Sequence, residues 1–283
     1  MHMTWIQSYD KNTLISLSVY LVLLAFVLIL VLHGDQYNQS AYAHANPISY
    51  LPTSNSVIEA DGKLPDKVVI AYSERPESKA SYIRVTNSVG ERIDNNDYKI
   101  SDTNARESSV SINTSKFIPG IYTVSWLALS RDDGHITKGS YVFTVSAMDE
   151  TSDAAAASAS STATTNGTAM TNAFEDSIIV DDINVTYSIS PFYSGVNNNF
   201  TVALSDSNGN PPTNIKTVFL VFNNEKAGLG PISTELAKGG EGEYNGSGGY
   251  LSQPSEWEVK ITVQRTDAYD LNHGFTFDLK NPP

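Results

Sequence analysis

The most apolar of the strand-like runs in this sequence is IYTVSWLAL, at Ile121–Leu129. Branched and aromatic residues dominate the run, which favours a buried β-strand. Trp126 lies inside it and is expected to anchor a hydrophobic core. Similar short runs, separated by Asn, Asp, Gly and Pro, surround it: KVVIAYS at 67–73, SYIRVT at 81–86, SVSIN at 109–113 and SYVFTVS at 140–146. Strands of this length and spacing predict an antiparallel β-sandwich.

The same pattern returns towards the C-terminus. Five further runs lie at 178–188, 199–204, 217–222, 256–264 and 274–279, with turn signals at 208–211 (NGNP) and 246–249 (GSGG). The predicted fold class is therefore all-β, with two immunoglobulin-like β-sandwich domains at 44–146 and 174–283. Residues 147–173 between them are rich in Ala, Ser and Thr and predict a flexible linker, with an alanine-rich helix as the alternative.

An apolar leader precedes the first predicted sandwich. Residues 14–32, LISLSVYLVLLAFVLILVL, carry no charge, and about 20 apolar residues cross a membrane. Ala41-Tyr42-Ala43 fits the small-x-small pattern of a signal-peptidase site. Two interpretations stay open: cleavage after Ala43, or retention of residues 1–43 as a membrane anchor. Both place the rest of the chain outside the cytoplasm, in a periplasm-type space or at the cell surface.

Composition argues against several classes of function. The chain has no cysteine, which excludes disulfides, thiolate zinc sites, iron–sulfur clusters and cysteine nucleophiles. A net charge of −13 disfavours nucleic acid as a partner, because phosphate binding needs a basic surface. No Gly-rich loop opens a helix and no Ser-His-Asp arrangement is apparent, so neither nucleotide binding nor a hydrolase acting on a small-molecule substrate is predicted.

The histidines carry the best candidate for chemistry. Asp133 and His135 are two residues apart, so on an extended chain their side chains would project to the same face. If the chain begins at His44, the free amine and the imidazole of that residue can bind a metal ion together. With Asp133 and His135 they would supply three nitrogens and one oxygen, a set that suits tetragonal Cu(II). An ordinary polar turn at Asp133–His135 is the alternative.

Two other polar features are expected to be structural. His273, in DLNHG at 270–274, is expected to cap a turn. Asp181-Asp182 is expected to lie on a solvated edge, since a calcium site needs more clustered oxygens.

Residues 44–146 resemble the CopC copper-resistance proteins. The resemblance is carried by His44 and then, in order, by VVIAYSE at 68–74, PGIYTVSW at 119–126, SRDDGH at 130–135 and GSYVFTV at 139–145. It implies an immunoglobulin-like sandwich that holds Cu(II) through an N-terminal histidine with its amine and through the Asp and His of a D-x-H block. These positions correspond to His44, Asp133 and His135, and Glu74 is implied as an extra or supporting group.

One departure from that family bears on the oxidation state of copper. Some members carry a methionine-rich loop for Cu(I), because thioethers select the softer ion. The corresponding stretch here, NSVGERIDNND at 87–97, has no methionine. The sequence therefore predicts a single Cu(II) site and no dedicated Cu(I) site.

The C-terminal segment looks like the YtkA-like domains attached to copper proteins of the CopC–CopD type. The matching residues are GEY at 242–244, GGYLS at 248–252 and SEWEVKITVQR at 255–265. No second long apolar run corresponds to the CopD membrane domain. The resemblance therefore implies that bound copper passes to a separate membrane transporter of CopD type.

The sequence thus predicts an exported, non-enzymatic protein that sequesters or carries Cu(II) in copper resistance or homeostasis. One alternative is a copper-dependent oxidase or monooxygenase built on the same two histidines. Asp133 argues against it, because that ligand would fill the position that oxygen chemistry needs open. The other alternative is a cell-surface interaction module of two sandwiches without metal, which stoichiometric copper binding would exclude.

Overall fold

Strands dominate the parts of the chain that the computed structural model describes, residues 44–60, 62–147 and 172–283. Within those ranges the only helical element is a short 3-10 turn at Thr114–Lys116, so the predicted all-β fold class is confirmed. In the same ranges no helix is both long and apolar enough to cross a membrane. The predicted leader and almost all of the predicted linker lie outside the described residues.

The N-terminal sandwich consists of two four-stranded sheets. One has the order β1-β3-β6-β5 and the other β2-β8-β7-β4. Its strands are β1 (Pro47–Leu51), β2 (Val57–Ile58), β3 (Lys67–Tyr72), β4 (Tyr82–Asn87), β5 (Lys99–Ile100), β6 (Glu107–Ser111), β7 (Gly120–Leu129) and β8 (Ile136–Val145). Trp126 lies in the core between the sheets, as predicted, and its ring meets that of Tyr72 edge to face at 6.1 Å.

The hairpin of β7 and β8 positions the candidate site. The two strands pair antiparallel from Gly120↔Val145 up to Leu129↔Ile136. Strand β8 begins at Ile136, earlier than the predicted start at residue 140. His135 therefore immediately precedes a long strand, and residues 130–135 form the loop at the closed end of the hairpin.

The C-terminal sandwich is formed by one eight-stranded sheet with the strand order β16-β15-β12-β13-β14-β11-β10-β9. Its strands are β9 (Phe174–Val180), β10 (Ile183–Ser190), β11 (Asn198–Ser205), β12 (Ile215–Asn224), β13 (Leu229–Gly240), β14 (Glu243–Gly248), β15 (Ser255–Arg265) and β16 (Leu271–Leu279). The sheet folds over at β13, which pairs first with β12 and then with β14. The two terminal strands of the sheet, β9 and β16, pack face to face, with the ring centroids of Phe174 and Phe277 5.0 Å apart.

The predicted run at 178–188 is two strands instead of one. Asp181 and Asp182 both have positive φ, +49° and +62°, and they link β9 to β10 with Val180 paired to Ile183. Positive φ at both central residues is typical of a two-residue hairpin turn, and aspartate tolerates that conformation better than most residues. Both aspartates are exposed, in agreement with the expected solvated position, and they form this turn.

Two further expectations for the C-terminal segment are also wrong. His273 lies within β16 instead of at a turn, and its ring packs edge to face on Phe275 at 4.7 Å. Gly246 and Gly248 lie within β14 instead of in a turn. These glycines serve close packing, because a Cβ atom on Gly246 would lie 2.6 Å from Leu236.

The two sandwiches pack against each other through the sheet that carries β7 and β8. Residues 121–126 are all buried, on both faces of β7. Tyr122 belongs to the core of the N-terminal sandwich, whereas Ile121 and Val142 belong to the core of the C-terminal one. Polar contacts flank these residues: Thr123 donates to Ser252 (2.6 Å), and the Gly230 backbone N–H donates to Ser140 (3.0 Å).

The close packing of the two sandwiches requires a glycine at one position, Gly249. A Cβ atom on Gly249 would lie 2.3 Å from Cδ1 of Ile121, well inside van der Waals contact. The backbone at Gly249 therefore packs directly on the Ile121 side chain. Sequence periodicity did not predict this contact between the two sandwiches.

We expect Ile121→Ala to lower the free energy of unfolding of the chain from His44 to Pro283 by about 2–5 kcal/mol, as for other large-to-small core changes. Ile179→Ala is the matched control, because Ile179 is 72% exposed, and its effect should stay within about 0.5 kcal/mol. Urea unfolding measures both. Equal stability of the two variants would show that the sandwiches do not pack in solution as described.

Candidate metal centre

The first segment that the structure describes, His44–Asn46, is attached to both sheets of its sandwich. Ala45 is fully buried in the core. The Ser73 hydroxyl, directly after β3, donates to the His44 carbonyl (2.6 Å) and accepts from the Asn46 backbone N–H (3.0 Å). The Thr137 hydroxyl on β8 donates to the Ala45 carbonyl (2.7 Å). These contacts place the His44 side chain beside the loop at 130–135.

The loop at 130–135 is a turn held by its first residue. The backbone N–H of Ser130 donates to the His135 carbonyl (2.8 Å), and the Gly134 N–H donates to the Ser130 carbonyl (3.0 Å). The Ser130 hydroxyl accepts from the backbone N–H groups of Asp132 (3.1 Å) and Asp133 (3.2 Å). Gly134 has φ +75°, a conformation that glycine adopts without steric cost.

Three predicted ligands meet at this loop. Nδ1 of His44 lies 3.2 Å from Oδ2 of Asp133, and Nδ1 of His135 lies 2.9 Å from the same oxygen. The imidazole rings are 4.6 Å apart between centroids. One potential ligand atom from each of the three residues lies within 4.8 Å of the others, so a single cation can contact all three.

The turn, and not an extended chain, brings Asp133 and His135 together. The Asp133 side chain folds back so that Oδ1 accepts the His135 backbone N–H at 2.9 Å. Asp133 and His135 therefore lie close together, as predicted. The prediction that an extended chain brings them together was wrong. The i to i+2 contact comes from an Asx-type turn, a local structure that aspartate favours.

The hydrogen bonds around Asp133 favour its negatively charged form, which attracts a cation. The His135 backbone N–H, followed by the Ser130 hydroxyl and the His135 side chain, holds the pKa of the Asp133 carboxyl below its usual range. The carboxylate is therefore ionised at neutral pH. The side chains of His44, Asp133 and His135 are 46%, 20% and 62% exposed, so solvent and a soluble metal ion reach the cluster.

Glu74 supports the loop in this structure instead of joining the cluster. Its Oε2 accepts the Ser130 hydroxyl at 2.5 Å, and Ser130 in turn holds the two aspartates through their backbone N–H groups. A role for Glu74 as a direct ligand stays a prediction.

An ion pair fixes the loop on the side of Asp132. The Arg75 Nε donates to Asp132 Oδ1 (2.8 Å), and the Arg75 backbone N–H donates to Asp132 Oδ2 (3.1 Å). The Arg75 side chain lowers the pKa of the Asp132 carboxyl. Asp132 is thus paired with Arg75, whereas its neighbour Asp133 contacts the two histidines.

Sequence reasoning missed the hydroxyl groups that hold the site. Ser73, Ser130 and Thr137 each donate to or accept from the backbone that carries a candidate ligand. Their positions carry a sequence signal: Ser73 precedes Glu74, Ser130 opens the loop, and Thr137 is two residues after His135. A hydroxyl so close to ligands often bonds to the neighbouring backbone.

The comparisons with known proteins identify the N-terminal sandwich. Residues 49–146 match the family model described as the CopC domain, so this part of the chain is a CopC domain, as the sequence predicted. Glu74, Asp133 and His135 lie inside the matched segment, and His44 lies just before it. The YtkA-like resemblance of the C-terminal segment stays a prediction.

Individual relatives cover only part of the chain. It is 30% identical over 112 residues to the copper transport protein CutJ of Bacillus subtilis (strain 168), a match that spans 39% of this chain and 20% of that protein. Among solved structures, CopC from Methylosinus trichosporium OB3b is 25% identical, with 38% of this chain and 100% of that chain covered and a TM-score of 0.34. The methionine-rich copper resistance protein PcoC from Escherichia coli is 24% identical, with 36% and 98% covered and a TM-score of 0.30.

We expect Ser130→Ala to destabilise the chain by about 1–3 kcal/mol, because it removes the partner of the Glu74 carboxylate and of two backbone N–H groups. Ser130 is 1% exposed, so the hydroxyl is lost from a buried position. Ser56→Ala is the control, since its hydroxyl donates to a carbonyl (2.7 Å) at an exposed position. If urea unfolding shows the two variants to be equally stable, Ser130 does not hold the loop.

Proposed function

We propose that this protein is an exported, non-enzymatic protein that binds one Cu(II) ion in its CopC domain and sequesters or carries it outside the cytoplasm. His44, Asp133 and His135 hold the ion, and Glu74 supports them. The observation that carries the proposal is the convergence of two imidazole nitrogens on one oxygen of Asp133. The copper-related names of the relatives support the choice of metal.

The donor set favours Cu(II), although zinc would accept similar groups. Two imidazoles and one carboxylate supply nitrogen and oxygen ligands, which Cu(II) accepts in a near-square plane. If the chain is cleaved after Ala43, the free amine of His44 adds a third nitrogen and closes a chelate with its own imidazole. Hard cations such as Mg²⁺ and Ca²⁺ prefer oxygen ligands only, so this set disfavours them.

Soft ligands that would hold Cu(I) are absent from the sequence around the site. The chain has no cysteine. The stretch 87–97 has no methionine, and after the leader the only methionines are Met148 and Met170, outside the described residues. The proposed cargo is therefore the oxidised ion, which nitrogen and oxygen ligands stabilise.

The exposure of the site fits a carrier. His44 and His135 are about half exposed, and Asp133 is the least exposed of the three. An acceptor can therefore reach the ion from the side of the histidines without the sandwich opening. We propose that copper passes from this site to a separate membrane transporter of CopD type.

The proposal predicts that the chain from His44 to Pro283 binds one equivalent of Cu(II). His44→Ala should weaken binding by more than about 100-fold, beyond the 10–100-fold that loss of a supporting partner costs, because a direct ligand is lost. A competition titration measures the affinity, and the EPR signal should lose nitrogen couplings. His273→Ala is the matched control, since His273 lies in β16 of the C-terminal sandwich.

Two outcomes would contradict the proposed site. The first is a His44→Ala variant that keeps the affinity and the EPR signal of the unchanged chain. The second is an equal loss in the His273→Ala variant, which would place copper elsewhere.

The amine ligand has its own test. Acetylation of the amine at His44 removes its charge and basicity and leaves every side chain in place. We expect the acetylated chain to bind Cu(II) more weakly than the free one and to show one nitrogen coupling fewer. Unchanged affinity and couplings would show that the amine is not a ligand. Extra residues before His44 are a poor substitute for acetylation, because they would add new amine and amide nitrogens near the imidazole.

A further inference from the structure

The segment that presents His44 is fastened at three consecutive residues. The His44 carbonyl accepts the Ser73 hydroxyl, the Ala45 carbonyl accepts the Thr137 hydroxyl, and the Asn46 N–H donates to Ser73. The Ser73 backbone N–H also donates to the Asn46 carbonyl at 2.8 Å. Ala45 lies in the core with no exposed surface. The backbone of the segment is therefore fixed up to the residue that carries the proposed ligand.

The two hydroxyl groups come from opposite sheets. Ser73 follows β3, in the sheet β1-β3-β6-β5, and Thr137 lies on β8, in the sheet β2-β8-β7-β4. Strand β8 begins one residue after His135. The same strand thus directly follows the second histidine and, through Thr137, holds the backbone behind the first histidine. This arrangement fixes the distance between His44 and His135. In the sequence, His44 is 89 positions from Asp133 and His135 is two positions from it.

We propose that Ser73 and Thr137 are positioning residues for the metal site: their hydroxyls hold His44–Asn46 so that the His44 imidazole faces Asp133 before the ion arrives. This inference rests on the proposed function, because it assigns a role in Cu(II) binding. Neither residue contacts the ion. Each acts through the backbone of the segment that carries His44.

The physical reason is the conformational entropy that the segment would have if cleavage after Ala43 made it a chain end. Chain ends are poorly ordered unless contacts hold them, and ordering a free segment on binding lowers affinity. Here the ordering is completed when the protein folds. Metal binding then needs no search by the chain end, so affinity is higher and dissociation slower than for the same ligands on a free end.

The test compares Ser73→Ala, Thr137→Val and the double variant with the unchanged chain from His44 to Pro283. Thr137→Val keeps the shape of the side chain and removes the hydroxyl. The double variant should bind Cu(II) about 10–100-fold more weakly, the range for loss of a supporting partner, and each single variant less so. Thr137→Ser should restore binding, and Ser56→Ala, which removes an unrelated hydroxyl-to-carbonyl bond, should have no effect.

A second measurement separates positioning from general stability. Backbone ¹⁵N relaxation of the metal-free protein should show faster motion of Ala45 and Asn46 in Thr137→Val, with residues 120–129 unchanged. Equal affinity and equal mobility in the variants and the unchanged chain would overturn the inference. If they bind normally while His44→Ala loses copper, the inference fails and the proposed function stands. If His44→Ala also binds normally, the proposed function itself fails.

Discussion

Two imidazole nitrogens meet at one carboxylate oxygen, Oδ2 of Asp133, and the rest of the site is built to maintain that contact. His135 reaches the oxygen from the same turn, at 2.9 Å, and His44 reaches it from the start of the described chain, at 3.2 Å. The His135 N–H occupies the other oxygen of the carboxylate. Asp133 is therefore held ionised and oriented, which is the state in which it attracts a cation.

The sandwich provides the rigidity that this contact requires. Ser130 and Glu74 hold the loop, the Arg75–Asp132 ion pair fixes its flank, and β8 extends directly from His135. The C-terminal sandwich packs on the outer face of the same sheet, through Ile121 and Val142. Residues 139–143 of β8 are thus buried on both faces, whereas Ile136 at the start of the strand is 63% exposed. His135 is held beside its partners by the hydrogen bonds of the loop, in which its backbone N–H donates to Asp133 and its carbonyl accepts from Ser130.

The fold class and the proximity of His44, Asp133 and His135 could be predicted from the sequence, because alternating strands and a D-x-H block leave local signals. The contact between the sandwiches could not. The contact depends on which face of β7 packs on Gly249. Because β7 is apolar on both faces, its sequence does not indicate which segment packs on which face. The turn at Asp133 was also missed, since a two-residue spacing looks the same in a strand and in an Asx turn. Asp181-Asp182 shows the same limit, because a hairpin turn of two aspartates lacks the glycine that usually marks one.

The supporting hydroxyls were missed for a different reason. Ser73, Ser130 and Thr137 act on backbone groups, and serine and threonine are too common in this chain for their positions to be informative alone. Their role becomes visible only when strands from two sheets are brought to the same end of the sandwich. Glu74 illustrates the point, because the resemblance implied only an extra or supporting group, whereas the structure shows which residue it contacts, Ser130.

The proposed site requires both histidines to bind one Cu(II) ion beside Asp133. Pulsed EPR of the chain from His44 to Pro283, loaded with one equivalent of Cu(II), tests it most directly, because the remote nitrogen of each coordinated imidazole modulates the electron-spin echo. We expect modulation from two imidazoles, reduced to one in either His44→Ala or His135→Ala. Modulation from a single imidazole in the unchanged chain, or a pattern that neither substitution alters, would contradict it.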